Sequence, residues 1–106
     1  MVSRLVLGSG TVAHTVLEAI RERPGDLLVL DPDESRIESL RNEKIAAETA
    51  DVTDPGALLA HGGRPDVVFI ASDDAAMNAR AAEAAATVLS DAYLVAYTGA
   101  GATADH

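Results

Sequence analysis

Gly8, Gly10 and Ala13 stand where an apolar run, Leu5-Val6-Leu7, gives way to a helical pattern that continues through Val16, Leu17 and Ile20. Small residues at this spacing let a phosphate close on the backbone. Gly8 permits the tight turn out of the strand. Gly10 has no Cβ to block a pyrophosphate, and Ala13 lets the helix pack close to the sheet. Ser9, Thr11 and Val12 complete the loop, whose helix start offers unpaired N–H groups and a partial positive charge to an anion. Gly10→Val is therefore expected to fill the phosphate space while largely sparing the fold. Taken alone, the same pattern also describes an ordinary tight strand-to-helix turn.

Asp31 adds a second, independent feature. It closes the apolar run Leu27-Leu28-Val29-Leu30, about 20 residues beyond the glycines, where a carboxylate can accept from both ribose hydroxyls. A helix cap before Pro32 would explain the residue type but not the distance. Asp31 also favours NAD(H) over NADP(H), because Pro32, Asp33 and Glu34 follow it and only Arg36 lies near. That arginine is expected to pair with Asp33 or point to solvent.

These residues need a scaffold, and the pattern supplies one. Strands and helices alternate, which signals a parallel sheet of βαβ units. Strands are expected at about 3–7, 27–31, 45–50, 66–71 and 92–97, and helices at about 11–23, 33–42, 55–61 and 75–89. The fold class is α/β, a Rossmann-like doubly wound sheet in the order 3-2-1-4-5, as one domain over 1–99 with a frayed tail over 100–106. Its ligand crevice would collect the loops at 8–13, 31–33, 51–53 and 71–74. Asp51 would lie beside an adenine pocket, and Ala71 and Ser72 across from the glycine loop. Asp51 is also a turn former, and Ser72 or Asp73 a cap for the fourth helix. Asp73-Asp74 reads better as a solvated cap than as a cation site.

Composition narrows the function classes. The chain has 106 residues, 48% of them hydrophobic, with no cysteine. That suits one core and excludes disulfides and thiolate metal sites. No apolar run spans a membrane and no signal peptide opens the chain, so a cytoplasmic protein is expected, without membrane insertion. Eight basic residues against 17 acidic ones give a net charge of −9, which argues against nucleic acid as a partner. One lysine, many acids and abundant alanine suggest adaptation to high salt, although an acidic domain from a GC-rich genome would look alike. The histidines, His14, His61 and His106, are scattered, and no triad or Tyr-x-x-x-Lys pair is present, so no catalytic role is expected. The fourth helix carries Ala75, Ala76, Ala79, Ala82, Ala85 and Ala86, more small residues than one packed face requires, and its outer face is expected to join a homodimer.

Four stretches in register carry a family resemblance: Gly8-Ser9-Gly10-Thr11-Val12-Ala13; Leu30-Asp31-Pro32-Asp33-Glu34; Ala50-Asp51-Val52-Thr53-Asp54-Pro55; and Asp66-Val67-Val68-Phe69-Ile70-Ala71-Ser72-Asp73-Asp74 with Asn78 beyond. To about Gly99 the chain resembles the N-terminal nucleotide-binding domain of the RCK/TrkA-N family, regulators of potassium channels and transporters. The resemblance implies NAD(H) or an adenine nucleotide (AMP, ADP or ATP) as ligand, dimers or rings, and a sensory role. With the spacing argument it makes Gly8, Ser9, Gly10, Thr11, Val12, Asp31, Pro32, Asp51, Val52, Ala71, Ser72, Asp73 and Asn78 candidate ligand contacts. Thr11 stands where many members carry arginine, which bears on recognition of a terminal phosphate, and Ala50 where glycine is common. After Tyr97-Thr98-Gly99 the family's further elements do not follow, so the chain looks like the first part of a longer protein, with a transporter or a fused C-terminal domain as partner. Similar domains are fused to DHH-type phosphoesterases. Asp51-Val52-Thr53-Asp54 also resembles a segment of short-chain dehydrogenases, which leaves the cofactor half of an oxidoreductase, or a scaffold that binds only protein, as alternatives.

Overall fold

A computed structural model describes residues 2–98 and 101–105. The elements alternate as β1 (Ser3–Leu7), α1 (Thr11–Ile20), β2 (Asp26–Asp31), α2 (Glu34–Asn42), β3 (Ala47–Thr49), α3 (Pro55–Gly62), β4 (Val67–Ile70), α4 (Ala75–Val88), β5 (Tyr93–Thr98) and β6 (Gly101–Asp105). The sheet order is β3-β2-β1-β4-β5-β6. The first five strands are parallel in the expected order 3-2-1-4-5. This is the Rossmann-like α/β fold.

β1 lies at the centre because both its faces are apolar. Leu5 and Leu7 turn to one side, with Leu30, Val52, Leu58, Val68, Ile70 and the α4 residues Ala81, Ala84 and Ala85. Val6 turns to the other, with Val29, Ile37 and the α1 residues Ala13, Val16 and Leu17. The two-residue period of the strand thus splits one apolar run into two core layers, one under each helix pair. A parallel strand covered on both faces reads as a continuous hydrophobic run for this reason.

The ends differ from expectation in three places. α1 stops at Ile20, three residues short of the expected Arg23, because Pro24 disfavours helical geometry before it. β3 keeps only Ala47–Thr49 of the expected 45–50. Residues 101–105, expected to fray, instead form β6, antiparallel to β5 from Leu94↔Asp105 to Thr98↔Gly101. β5 would otherwise present an open row of backbone donors and acceptors, and a returning segment satisfies it. Of the expected tail, 100 and 106 lie outside the described residues, as does Gly99.

Three helices begin on an aspartate. Asp33 accepts from the Ser35 and Arg36 amides, Asp54 from Gly56, and Asp74 from Ala76 and Met77. Each puts a side-chain oxygen on donors that the helix cannot satisfy itself. The cap of α4 is therefore Asp74, not Ser72 or Asp73. α1 is the exception: its N-cap is Gly10, which has no side chain to offer.

Candidate functional site

The glycine loop leaves β1 with Gly8 N–H still donating to Leu30 at 2.8 Å, so its first residue stays in the sheet. Gly8 has φ +110°, and a Cβ there would stand 2.6 Å from the Ser72 backbone nitrogen. The loop is pressed against the β4–α4 connection. Gly10 has φ 111° and ψ −159°, a region open in practice only to glycine. Its Cβ would collide with the Asp73 carboxylate, and Arg36 Nη1 would lie 3.2 Å away. Gly10→Val therefore strains the backbone as well as filling the space, contrary to the sequence expectation. Ala13 is 1% exposed and packs against the sheet.

Asp31, at the end of β2, is buried and meets this loop. Ser9 Oγ donates to Asp31 Oδ2 at 2.9 Å, and Asp33 N–H donates to Oδ1 at 2.8 Å. Two features 22 positions apart in the chain are thus one hydrogen-bonded unit. Each carboxylate oxygen retains a lone pair for a ribose hydroxyl. Pro32 is exposed beside it. Arg36 does more than expected. It lies 3.7 Å from Asp33, but it also reaches back to donate from Nη1 to Ser9 Oγ at 3.3 Å. The expectation of an Asp33 partner or a solvent-facing side chain does not include this contact. Nothing in the chain's spacing marks a contact with Ser9.

The third loop follows β3, whose neighbour Ala50 donates to the Asp31 carbonyl. Asp51 is exposed and closes its own turn, accepting from Thr53 N–H at 2.9 Å and Thr53 Oγ1 at 2.6 Å. These bonds, the hydroxyl's first, and the more distant Arg80 hold its carboxyl below the usual range. Val52 is 1% exposed and belongs to the core under Leu58, so its side chain does not face a ligand.

The fourth loop crosses the crevice. Ala71 is fully buried. Ser72 and Asn78 form a closed network: Asn78 Oδ1 accepts from Ser72 N–H and Oγ–H, and Nδ2 donates to the Ser72 and Tyr97 carbonyls at 2.9 and 2.8 Å. Every hydrogen-bonding position of the Asn78 amide is used within the protein. It shapes the wall of the crevice and offers no free group to a ligand.

Asp73 points into the site. Its Oδ2 accepts from Thr11 N–H and its Oδ1 from Val12 N–H, both at 3.0 Å. The Val12 and Thr11 bonds, with Arg36 beyond, hold its carboxyl below the usual value. The residue that reaches the capless α1 comes from the far side of the crevice. The cavity bordering the glycine loop on its α2 side, lined by Ser9, Gly10, His14, Arg36 and Leu40 among others, measures about 220 Å³. Larger hollows lie between the turn at Gly63, Arg64 and Pro65 and the turn at Ser90, Asp91 and Ala92, and along α2, away from Gly8 and Gly10. The sequence motif, not size, locates the site, because the space over Gly10 is already filled by a side chain.

A parallel sheet in this order, with a glycine loop opening α1 and a buried acid ending β2, defines a Rossmann-type nucleotide-binding domain. The chain belongs to the TrkA-N domain family, whose model matches residues 4–104. No curated protein matches the chain. Among the described residues no helix is long and apolar enough to cross a membrane.

Proposed function

We propose that this domain is a non-catalytic sensor that binds NAD(H) or an adenine nucleotide and passes its occupancy to a fused or associated module. A potassium transporter or channel is the module the family membership favours. The observation that carries the ligand reading is Asp31, buried at the end of β2 and joined to Ser9 of the glycine loop. Its carboxylate suits free ribose hydroxyls. A 2′-phosphate would bring roughly two negative charges beside it, and Asp33 and Glu34 follow. Even at a surface-like dielectric, a unit pair at about 4 Å repels by about 4 kcal/mol before screening. Arg36 is already shared between Ser9 and Asp33.

Isothermal titration with NADH, NADPH, AMP, ADP and ATP tests the reading. NADPH is expected to bind at least about tenfold more weakly than NADH, equivalent to about 1.4 kcal/mol. Equal affinities in low salt would remove Asp31 from the ribose. Absence of binding by every adenine nucleotide at millimolar concentration would overturn the ligand assignment. The proposal includes a homodimer through the outer face of α4, where Ala75, Ala76, Ala79 and Ala86 are exposed. Light scattering checks it, and a strict monomer at high protein concentration removes it.

A further inference from the structure

We propose that Asp73 is a built-in competitor for the phosphate seat: a phosphate-bearing ligand enters by displacing this carboxylate from the Thr11 and Val12 amides and taking its place beside Arg36. The proposal rests on the reading of the glycine loop as a phosphate seat and adds how that seat is guarded.

The donors come first. The opening turn of α1 has N–H groups that its own N-cap, Gly10, cannot satisfy. These are the groups a helix N-terminus offers to a phosphate. Asp73 takes two of them, one on each carboxylate oxygen, as an oxyanion would. The space above Gly10 that a pyrophosphate needs holds the same carboxylate, with the Arg36 guanidinium at its edge. Two anions cannot share this seat at hydrogen-bond distance without strong repulsion.

The guard can open alone. Asp73 is exposed, and among the described residues its side chain accepts only from Thr11 and Val12. Its neighbours are fixed by other bonds. Ser72 is held by Asn78, and Asp74 caps α4. Rotation of one side chain therefore clears the amides while the loop stays in place. Asp73 sits on α1 but belongs to the β4–α4 connection, so its bond also reports ligand entry to the opposite wall of the crevice.

The consequence is a choice of ligand class. A phosphate replaces both the charge and the two acceptors that Asp73 withdraws, whereas a nucleoside without phosphate replaces neither. Apparent affinity for phosphate-bearing ligands is lowered by the fraction of molecules in which the seat is closed.

Inorganic pyrophosphate probes the seat without invoking adenine. In ¹⁵N-edited NMR, pyrophosphate is expected to shift the Thr11 and Val12 amides of Asp73→Ala at a concentration at least tenfold lower than in the unmodified chain. Asp74→Asn removes a neighbouring charge without freeing these amides and keeps a good cap, so it is expected to change the midpoint less than twofold. ADP is expected to gain at least tenfold in Asp73→Ala, and adenosine to gain nothing. A folded Asp73→Ala that takes up pyrophosphate no more tightly than the unmodified chain makes Asp73 a permanent cap and overturns the proposal. If that variant does not fold, the unmodified chain decides. ADP binding must move the Asp73 carboxyl ¹³C resonance together with the Thr11 and Val12 amides, and binding that leaves it unmoved overturns the proposal. Pyrophosphate uptake in Asp73→Ala without binding of any adenine nucleotide would keep the guard and remove the nucleotide reading. ADP binding without a gain in Asp73→Ala would do the reverse.

Discussion

At Gly8 an added Cβ meets backbone, and at Gly10 it meets the end of a side chain, and this difference sets the cost of each substitution. Both residues hold positive φ, so alanine is strained at either by about 1–3 kcal/mol. The Ser72 nitrogen and Cα, 2.6 and 2.8 Å from the position of a Gly8 Cβ, belong to a loop pinned by Asn78 and cannot move aside. The Asp73 carboxylate over Gly10 can swing away. Gly8→Ala is therefore expected to lose more stability than Gly10→Ala, by at least about 1 kcal/mol. Urea denaturation measures both, and the reverse order would mean that the β4–α4 loop is softer than its bonds imply. Asp51 supplies a pH-dependent counterpart. Its carboxyl is held down first by the Thr53 hydroxyl, then by the Thr53 amide. Thr53→Val should raise the Asp51 pKa toward its ordinary 3.8, as read by ¹³C NMR titration. The sign follows from linkage. A depressed folded-state pKa contributes stability that is present above 3.8 and lost as pH falls through the depressed value. Thr53→Val should thus flatten this acid limb, and an unchanged Asp51 titration would mean that the hydroxyl bond is not formed in solution.

Among the elements, α4 packs on the sheet through Ala81, Ala84 and Ala85 and is hydrogen-bonded to β5 through one side chain. Asn78 bridges the loop after β4 and the Tyr97 carbonyl of β5, 4% exposed and with all its bonds made. Asn78→Ala leaves a buried Ser72 amide without its partner, at a cost of about 2–3 kcal/mol. For a domain of this size that lowers Tm by roughly 10 °C or more. A variant that kept its Tm and lost only nucleotide affinity would return Asn78 to the ligand-contacting role that the family resemblance implied. The element order and the fold class were legible in the sequence because apolar period and glycine position are local signals. The placement of Asp31 at the end of its strand, about 20 residues beyond the glycines, was legible from the spacing of the fingerprint, but its bond with Ser9 was not, because the fingerprint assigns that carboxylate to a ribose and not to the loop. Asp73 on α1 was not, because donor and acceptor lie 62 positions apart and nothing near either residue marks the other. Arg36 was expected to pair with Asp33 or point to solvent; it lies beside Asp33 and also reaches Ser9, a contact that no local spacing marks. β6 was missed because Gly101-Ala102-Thr103-Ala104-Asp105 alternates only small alanines with polar residues and carries no large apolar side chain. Its strand form follows from the open edge of β5 rather than from its own side chains.

Across the whole molecule, 17 acidic residues face eight basic ones, and the distribution of ion pairs decides how salt acts. Among the described residues the Arg pairs are Arg21 with Glu18 and Glu43 at 3.6 and 3.8 Å, and Arg36 with Asp33 at 3.7 Å. The carboxylates in them are about half exposed, so each pair contributes about 0–1 kcal/mol. Screening these few attractions costs little. Screening the repulsion among the remaining acids, which unfolding relieves by spreading them apart, gains more. The Debye length falls from about 10 Å at 0.1 M to about 3 Å at 1 M, so most of the gain should come below 1 M. We therefore expect Tm to rise by roughly 5 °C or more between 0.05 and 1 M KCl, equivalent to about 1 kcal/mol. The shape of the curve separates causes. Screening saturates, whereas exclusion of salt from the surface strengthens apolar burial steadily into the molar range. A saturating rise supports a charge-limited domain suited to a salty interior. A linear rise without an early phase assigns the effect to apolar burial, and a flat or falling Tm removes the high-salt proposal.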